Sequence, residues 1–199
     1  MRFFQRVNMD NAEKSNRLIS AAAALLNAAP NQELNIVVLN KCLFYLDLVA
    51  LRDGGSTITK NAFIALENGP VVAKYPKRLV KEMDNRGIAT EIQGWSGSKP
   101  LKLIEQQVLP DYLEPYKKQI IQIANHFSCS SQASDFSHLN IGWQSSWEKC
   151  KEEKRPAPIN MLVAMQQVLE DDPWMHEPLS EGESLAIVGP ADADESEIW

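Results

Sequence analysis

Two histidines and two cysteines in the second half of the chain have side chains of the type that bind zinc: His126, Cys129, His138 and Cys150. Four nitrogen and sulfur ligands can hold Zn²⁺ in a tetrahedral site. The spacing is irregular, however, and no CxxC or HxxxH pair anchors it. A cysteine outside such a motif commonly packs as a small hydrophobic side chain. The sequence therefore favours buried thiols and predicts no cofactor, with a His/Cys metalloprotein or enzyme left as an alternative.

Catalytic signatures are missing from the sequence, which has no GxSxG, HExxH, P-loop or GxGxxG pattern. Asp135, Ser137 and His138 are the residue types of a hydrolytic triad, but they are near neighbours in the chain. Adjacent residues on one helix point in different directions, so these three cannot form a relay. The sequence predicts that the protein is not an enzyme.

Two sets of residues are candidates for binding a partner. The first is basic and consists of Lys74, Lys77, Arg78 and Lys81, which suit phosphates, an acidic partner, the protein's own acidic tail or plain solvent. The second is Trp143 and Trp147, which lie four residues apart and therefore on one helical face. Tryptophan is common both in cores and at interface hot spots. No aromatic-interleaved strand accompanies the basic set, so nucleic acid is not the expected partner.

The elements that must position these residues are mostly helices. Leu18, Ala22 and Leu25 recur at helical spacing after a capping box at Asp10 and Glu13, and Pro30 ends this first helix. Asn35 caps a second helix over residues 36–52, which is apolar nearly all round and is predicted to be the buried centre of the fold.

Shorter elements follow the central helix. Pro76 and Gly87 bound a basic helix, and residues 88–92 and 101–103 alternate as a small antiparallel hairpin. Periodicity does not decide whether residues 63–66 form a strand or a helix. Further helices are predicted from Pro115, over 132–139 and 143–154, and after Asn160. The predicted fold class is α+β, predominantly α: a compact helical domain with a central buried helix and a small antiparallel β-hairpin.

Charge is distributed unevenly along the chain. The net charge is −6, yet residues 170–199 contain ten acidic residues and neither Lys nor Arg. We therefore expect an N-terminal extension at 1–9, a helical domain at 10–172 and an acidic tail at 173–199.

The odd number of cysteines, three, predicts reduced thiols, and we find neither a signal sequence nor a membrane-spanning run. The expected location is the cytoplasm.

Two blocks of residues resemble the sequence pattern of a known family. The first consists of the helix residues Lys41, Leu43, Phe44, Tyr45 and Asp47, followed by Ile58-Thr59, Ala65 and Gly69-Pro70-Val71. The second is Asp135-Phe136-Ser137-His138, followed by Trp143. Over about residues 15–150 the chain resembles the Panacea domain of SocA-like and GepA-like proteins, which are associated with phages and plasmids. Phe63 stands where that pattern usually has Tyr.

The resemblance implies a bacterial antitoxin that binds a cognate toxin encoded by an adjacent gene. It leaves open a second role, that of an adaptor delivering the toxin to a protease through the acidic tail, and a homo-oligomer is compatible with either role. The motif residues are interpreted as structural: Lys41, Tyr45, Asp47, Gly69, Pro70, Val71 and His138. Polar groups on the apolar helix must be paired or lie on its one solvent-exposed edge, and His138 is a candidate partner of Asp47.

Overall fold

Helices form most of the structure, a computed structural model that describes residues 2–94 and 98–166. The α-helices are α1 Arg2–Ala28, α2 Ile36–Gly54, α3 Glu82–Asn85, α4 Lys117–His126, α5 Ser130–Leu139, α6 Gln144–Glu153 and α7 Met161–Gln166. A π-helical segment, Pro76–Lys81, runs directly into α3, and 3₁₀ turns lie at Pro30–Gln32, Asp111–Tyr116 and Ile141–Trp143. The predicted acidic tail, 173–199, lies outside the described residues.

The strands form two small antiparallel sheets of three strands each. Their bounds are β1 Glu33–Asn35, β2 Phe63–Leu66, β3 Gly69–Val72, β4 Ala89–Glu91, β5 Pro100–Leu103 and β6 Ala157–Pro158. The first sheet has the order β1-β5-β4 and contains the predicted hairpin, joined by one further strand. The second has the order β3-β2-β6, so residues 63–66 form a strand. The predicted class, α+β and predominantly α, is confirmed.

Helix α2 is the centre of the core, as predicted. Every residue from Val38 to Arg52 is buried. The helix begins where the Asn35 side chain accepts a hydrogen bond from the backbone N–H of Val37, and it ends at Gly55, whose φ is 68°. α2 packs against α1, α4, α5 and α7 on several sides and against β3 on another. A helix surrounded in this way has no solvent-exposed face, which explains its nearly continuous apolar sequence.

Two helix starts differ from the sequence prediction. α1 begins at Arg2, so Asp10 lies inside the helix and does not cap its first turn. The chain continues helically because residues 2–9 contain no Pro or Gly to stop it. Pro115 lies within the 3₁₀ turn Asp111–Tyr116, and α4 begins only at Lys117. No helix among the described residues is both long and apolar enough to cross a bilayer.

Candidate functional site

The turn between β2 and β3 is held by side chains from three different helices. Each side chain donates one hydrogen bond to a backbone carbonyl of the turn or of the strand that follows it. The bonds run from Lys41 Nζ in α2 to Pro70 O (3.0 Å), from Ser134 Oγ in α5 to Asn68 O (2.8 Å) and from Trp147 Nε1 in α6 to Glu67 O (3.2 Å). We call Lys41, Ser134 and Trp147 the hairpin clamp. Because the three donors are far apart in sequence, the clamp fixes the turn relative to the whole helical core.

Lys41 is the buried member of the clamp. Its side chain is completely inaccessible to solvent, and the carbonyl of Pro70 is its hydrogen-bond acceptor. Burial disfavours the charged amine and lowers the pKa of Lys41 to about 7. The preceding residue, Asn40, accepts a hydrogen bond from the backbone N–H of Val72 (2.9 Å). Neighbouring polar residues of α2 therefore anchor strand β3.

Gly69 occupies a position that only glycine fits. Its φ is +101°, and a Cβ built there would lie 2.5 Å from Ser137 Oγ and 2.8 Å from Lys41 Nζ. L-residues with a side chain are strained at such a φ. The Gly69-Pro70 motif is therefore explained by the close approach of this turn to α2 and α5.

His138 lies between two tryptophans. Its ring centroid is 5.1 Å from that of Trp143 and 4.7 Å from that of Trp147. Trp143 is fully buried and donates its indole N–H to the carbonyl of Ser137 at 2.8 Å. Trp143 therefore packs in the core of this fold, and its burial gives no support to the prediction that it binds a partner. Trp147 is only half-buried and remains a candidate.

Asp47 has a different partner from the one predicted. Its Oδ1 accepts hydrogen bonds from the backbone N–H groups of Ile58 (2.8 Å) and Thr59 (2.9 Å), and its Oδ2 accepts one from the Thr59 hydroxyl. Burial raises the pKa of Asp47 to about 6, although these hydrogen bonds oppose the shift. Asp47 therefore holds the loop after α2, while His138 packs on the tryptophans.

Tyr45 links α2 to α5. Its ring packs edge-on against Phe44 and Phe136 at centroid distances of 5.5 and 5.4 Å, and its hydroxyl lies 3.5 Å from the carbonyl of Phe136. Pro70 and Val71, the other motif residues, are buried in β3. The structural role of these two residues stays a prediction.

Within residues 2–94 and 98–166 the structure does not bring together the residues considered for a catalytic triad or for a metal site. Ser137 Oγ donates to the carbonyl of Ser134 (2.8 Å), and Asp135 is exposed. Within the same ranges, no three His, Cys, Asp or Glu side chains lie close enough to hold a metal ion. His126 packs on the rings of Phe127 and Phe136. The described fold thus does not bring three of the four candidate zinc ligands together.

The basic set is only partly exposed. Lys77 and Lys81 are exposed, Lys74 is half-buried, and Arg78 Nη1 donates to Asn61 Oδ1 at 3.3 Å. Arg78 therefore ties the π-helical segment to the loop after α2. The part of this set that is open to a partner is Lys77 and Lys81.

A groove of about 580 Å³, which was not predicted from the sequence, lies between the clamped turn and α6. Its apolar lining is Leu66, Trp147, Cys150 and Pro156, and its charged lining consists of three cations, Lys151, Lys154 and Arg155, and one carboxylate, Glu67. The Lys151 ammonium stands 4.2 Å from the centroid of the Trp147 ring, a cation–π contact. The i, i+4 spacing of these two residues was the available signal. We call this feature the basic groove.

Residues 39–144, slightly more than half of the chain, match a protein-family model described as "Antitoxin SocA-like, Panacea domain". The matched region contains Lys41, Asp47, Gly69, Ser134 and His138, and it ends one residue after Trp143. Comparison with curated proteins and with solved structures gives no match.

Proposed function

The chain belongs to the SocA-like antitoxin family that is defined by the Panacea domain, and from this membership we propose that it neutralises a cognate protein toxin by direct binding. The family match is the single observation that carries the proposal. The toxin is expected to be the product of an adjacent gene.

The rigidity of the domain supports a binding role. The hairpin clamp fixes the β2–β3 turn, and α2 is buried over fifteen consecutive residues, Val38–Arg52. A preformed surface loses little conformational freedom on binding, which favours affinity. An interface of about 1,600 Å² in total is the usual size for a stable protein complex.

Neutralisation by covering a toxin needs no chemistry from this chain. Four of the polar side chains that the sequence singled out are bound to backbone or packed on rings: Lys41, Asp47, Ser137 and His138. These contacts suit structural parts of a scaffold, so we propose a non-enzymatic protein.

Co-expression tests the proposal. The product of each adjacent gene is expressed from an inducible promoter in a bacterial host, alone and together with this chain. We expect one of them to stop growth alone, to be harmless with this chain, and to co-purify with it at a fixed stoichiometry. Growth arrest that this chain does not relieve, with no complex on gel filtration, would contradict the proposal.

The proteolytic adaptor stays a prediction that the same strains can test. If the chain delivers the toxin to a protease, the toxin should disappear with a short half-life after translation is blocked. If the chain covers the toxin, the toxin should persist in the complex. Measuring toxin abundance by immunoblot over time separates the two.

A further inference from the structure

We propose that the basic groove is a docking site for the acidic segment of this same chain, residues 170–199. The proposal concerns a contact within one molecule, and it does not depend on which toxin the protein binds.

The charge of the groove is the first support. Lys151 and Lys154 form no ion pair with the described residues, and the contact recorded for the Lys151 ammonium is the Trp147 ring. Arg155 is paired with Glu153. Within residues 2–94 and 98–166 the two exposed ammonium groups therefore have no ion-pair partner, and the groove contains three cations against the single carboxylate of Glu67. The ten carboxylates of residues 170–199, with no Lys or Arg among them, supply the opposite charge.

The apolar lining is the second support. Trp147 and Leu66 are half-buried in the groove, and Cys150 lies between the two sides. The acidic segment carries apolar side chains among its carboxylates, including Trp174, Leu179, Leu185 and Ile187. A segment that contains both acidic and apolar side chains matches a lining that combines ammonium groups with an indole. The 580 Å³ volume is that of a site for several side chains, larger than a single ion needs.

Chain length is the third support. The chain leaves the groove at Pro156, forms β6 and α7, and reaches Gln166 ten residues later. Ten residues span at most about 36 Å. The 33 residues that follow Gln166 can extend roughly 110 Å, so the acidic segment reaches back without strain. Tethering also raises the effective concentration of the segment at the groove, which favours this occupant over a free one.

Lys77 and Lys81 form the competing basic site. This site lacks an apolar lining like that of the basic groove. They are exposed on the π-helical segment. An acidic segment there would make ion pairs in open solvent, which contribute little. In the basic groove the same charges lie beside apolar surface.

Cross-linking the full-length protein with a zero-length carbodiimide tests the contact. The reagent joins a lysine amine to a carboxylate, and residues 170–199 contain no lysine, so their cross-links report only contacts with lysines elsewhere. We expect links from Lys151 and Lys154 to these carboxylates, which are lost in high salt. A mixture of ¹⁴N and ¹⁵N protein separates links within a molecule from links between molecules. Absence of the links, equal links to Lys77 and Lys81, or links only between molecules would each overturn the proposal.

A pair of variants keeps the proposal testable without relying on one reagent. In K151E/K154E the groove is reversed in charge, and in K77E/K81E the same change is made at other exposed lysines. We expect amide exchange in residues 170–199 to be faster in the first variant and unchanged in the second. Unchanged α2 protection in both variants checks that the fold is intact. Equal exchange in residues 170–199 of both variants and the wild type would rule out docking in the groove.

Discussion

Single residues at the β2–β3 turn show how tightly this part of the molecule is fitted. Gly69, Lys41 and Ser137 meet within a space that leaves no room for a methyl group. Two separate effects exclude a side chain at position 69: the positive φ of Gly69 and the close packing of Lys41 and Ser137. The two effects can be measured apart, because the chain has a second glycine with positive φ in open surroundings.

Gly69→Ala should destabilise the protein by about 2–4 kcal/mol, because a Cβ adds both φ strain and a clash. Gly87→Ala is the matched control. Gly87 has φ +66° but no atom within 4 Å of a Cβ, so its substitution should cost only about 1 kcal/mol. Urea unfolding of both variants gives the two free energies. Equal losses of unfolding free energy in the two variants would mean that the turn shifts to accommodate the Cβ and that the clash at position 69 costs nothing.

The buried amine of Lys41 should make stability depend on pH above neutrality. The folded-state pKa is lowered to about 7, against 10.5 for an unburied lysine. Between these values the unfolded chain binds a proton that the folded chain has released, so stability rises as pH rises from about 7 to 10.5. Below pH 7 the full cost of the buried charge is present.

Lys41→Met should remove this rise, at the expense of about 1–3 kcal/mol for the unpaired carbonyl of Pro70. The measurement is the free energy of unfolding in urea at pH 7 and pH 9.5. Lys77→Met, at an exposed position, should keep the rise seen in the wild type. A rise that survives in Lys41→Met would show that other groups cause it.

Helices and strands cooperate through the hairpin clamp. Three helices, α2, α5 and α6, hold one short turn, and that turn forms one wall of the basic groove. The clamp is therefore expected to act as a unit. Loss of one donor should loosen the turn for the other two.

Ser134→Ala and Trp147→Phe should each cost about 1 kcal/mol, and together less than their sum, because each releases the same turn. A double-mutant cycle in urea measures the coupling. Ser146→Ala is the control, since its hydroxyl donates to the carbonyl of Pro158 in β6 at 2.7 Å, outside the turn. We expect Ser146→Ala to add to Ser134→Ala without coupling. Full additivity of the first pair would show that the clamp bonds are independent.

At the scale of the whole molecule, α2 is the part on which the other elements depend. α1, α4, α5, α7 and β3 all pack on it. Opening α2 locally would expose the core on every side. Its stability is therefore that of the whole described domain.

Amide hydrogen exchange should show this directly. The amides of residues 40–50 should exchange only through global unfolding, with a free energy equal to that measured in urea. The amides of α6, which has one buried residue, Cys150, should exchange through smaller openings. Faster exchange in α2 than in α6 would contradict the central role of α2.

Much of this architecture could be predicted from sequence where a local rule decided the matter. The caps at Asn35 and Gly55 and the apolar circumference of α2 were sufficient to place the central helix. The start of α1 was missed, because a capping box inside a long helix looks the same as one at its end. The second sheet was missed because β6 is only two residues long and pairs with β2, which lies almost half the chain length earlier in the sequence.

The candidate site was harder to predict because its geometry is tertiary. Lys41 and Gly69 were singled out from the motif, but nothing local indicated that Ser134 and Trp147 would donate to the same turn. The assignment of His138 to Asp47 failed because the loop at Ile58 and Thr59 supplies three donors first.

The clamp also fixes when the basic groove can exist during protein synthesis. Its donors come from α2, α5 and α6, so the turn is fully held only after the chain as far as Trp147 has left the ribosome. The groove also needs Arg155 and Pro156, because both residues line it. A partner of the groove therefore meets a chain that has been synthesised beyond residue 156, whereas the surface of α1 is available on a much shorter nascent chain.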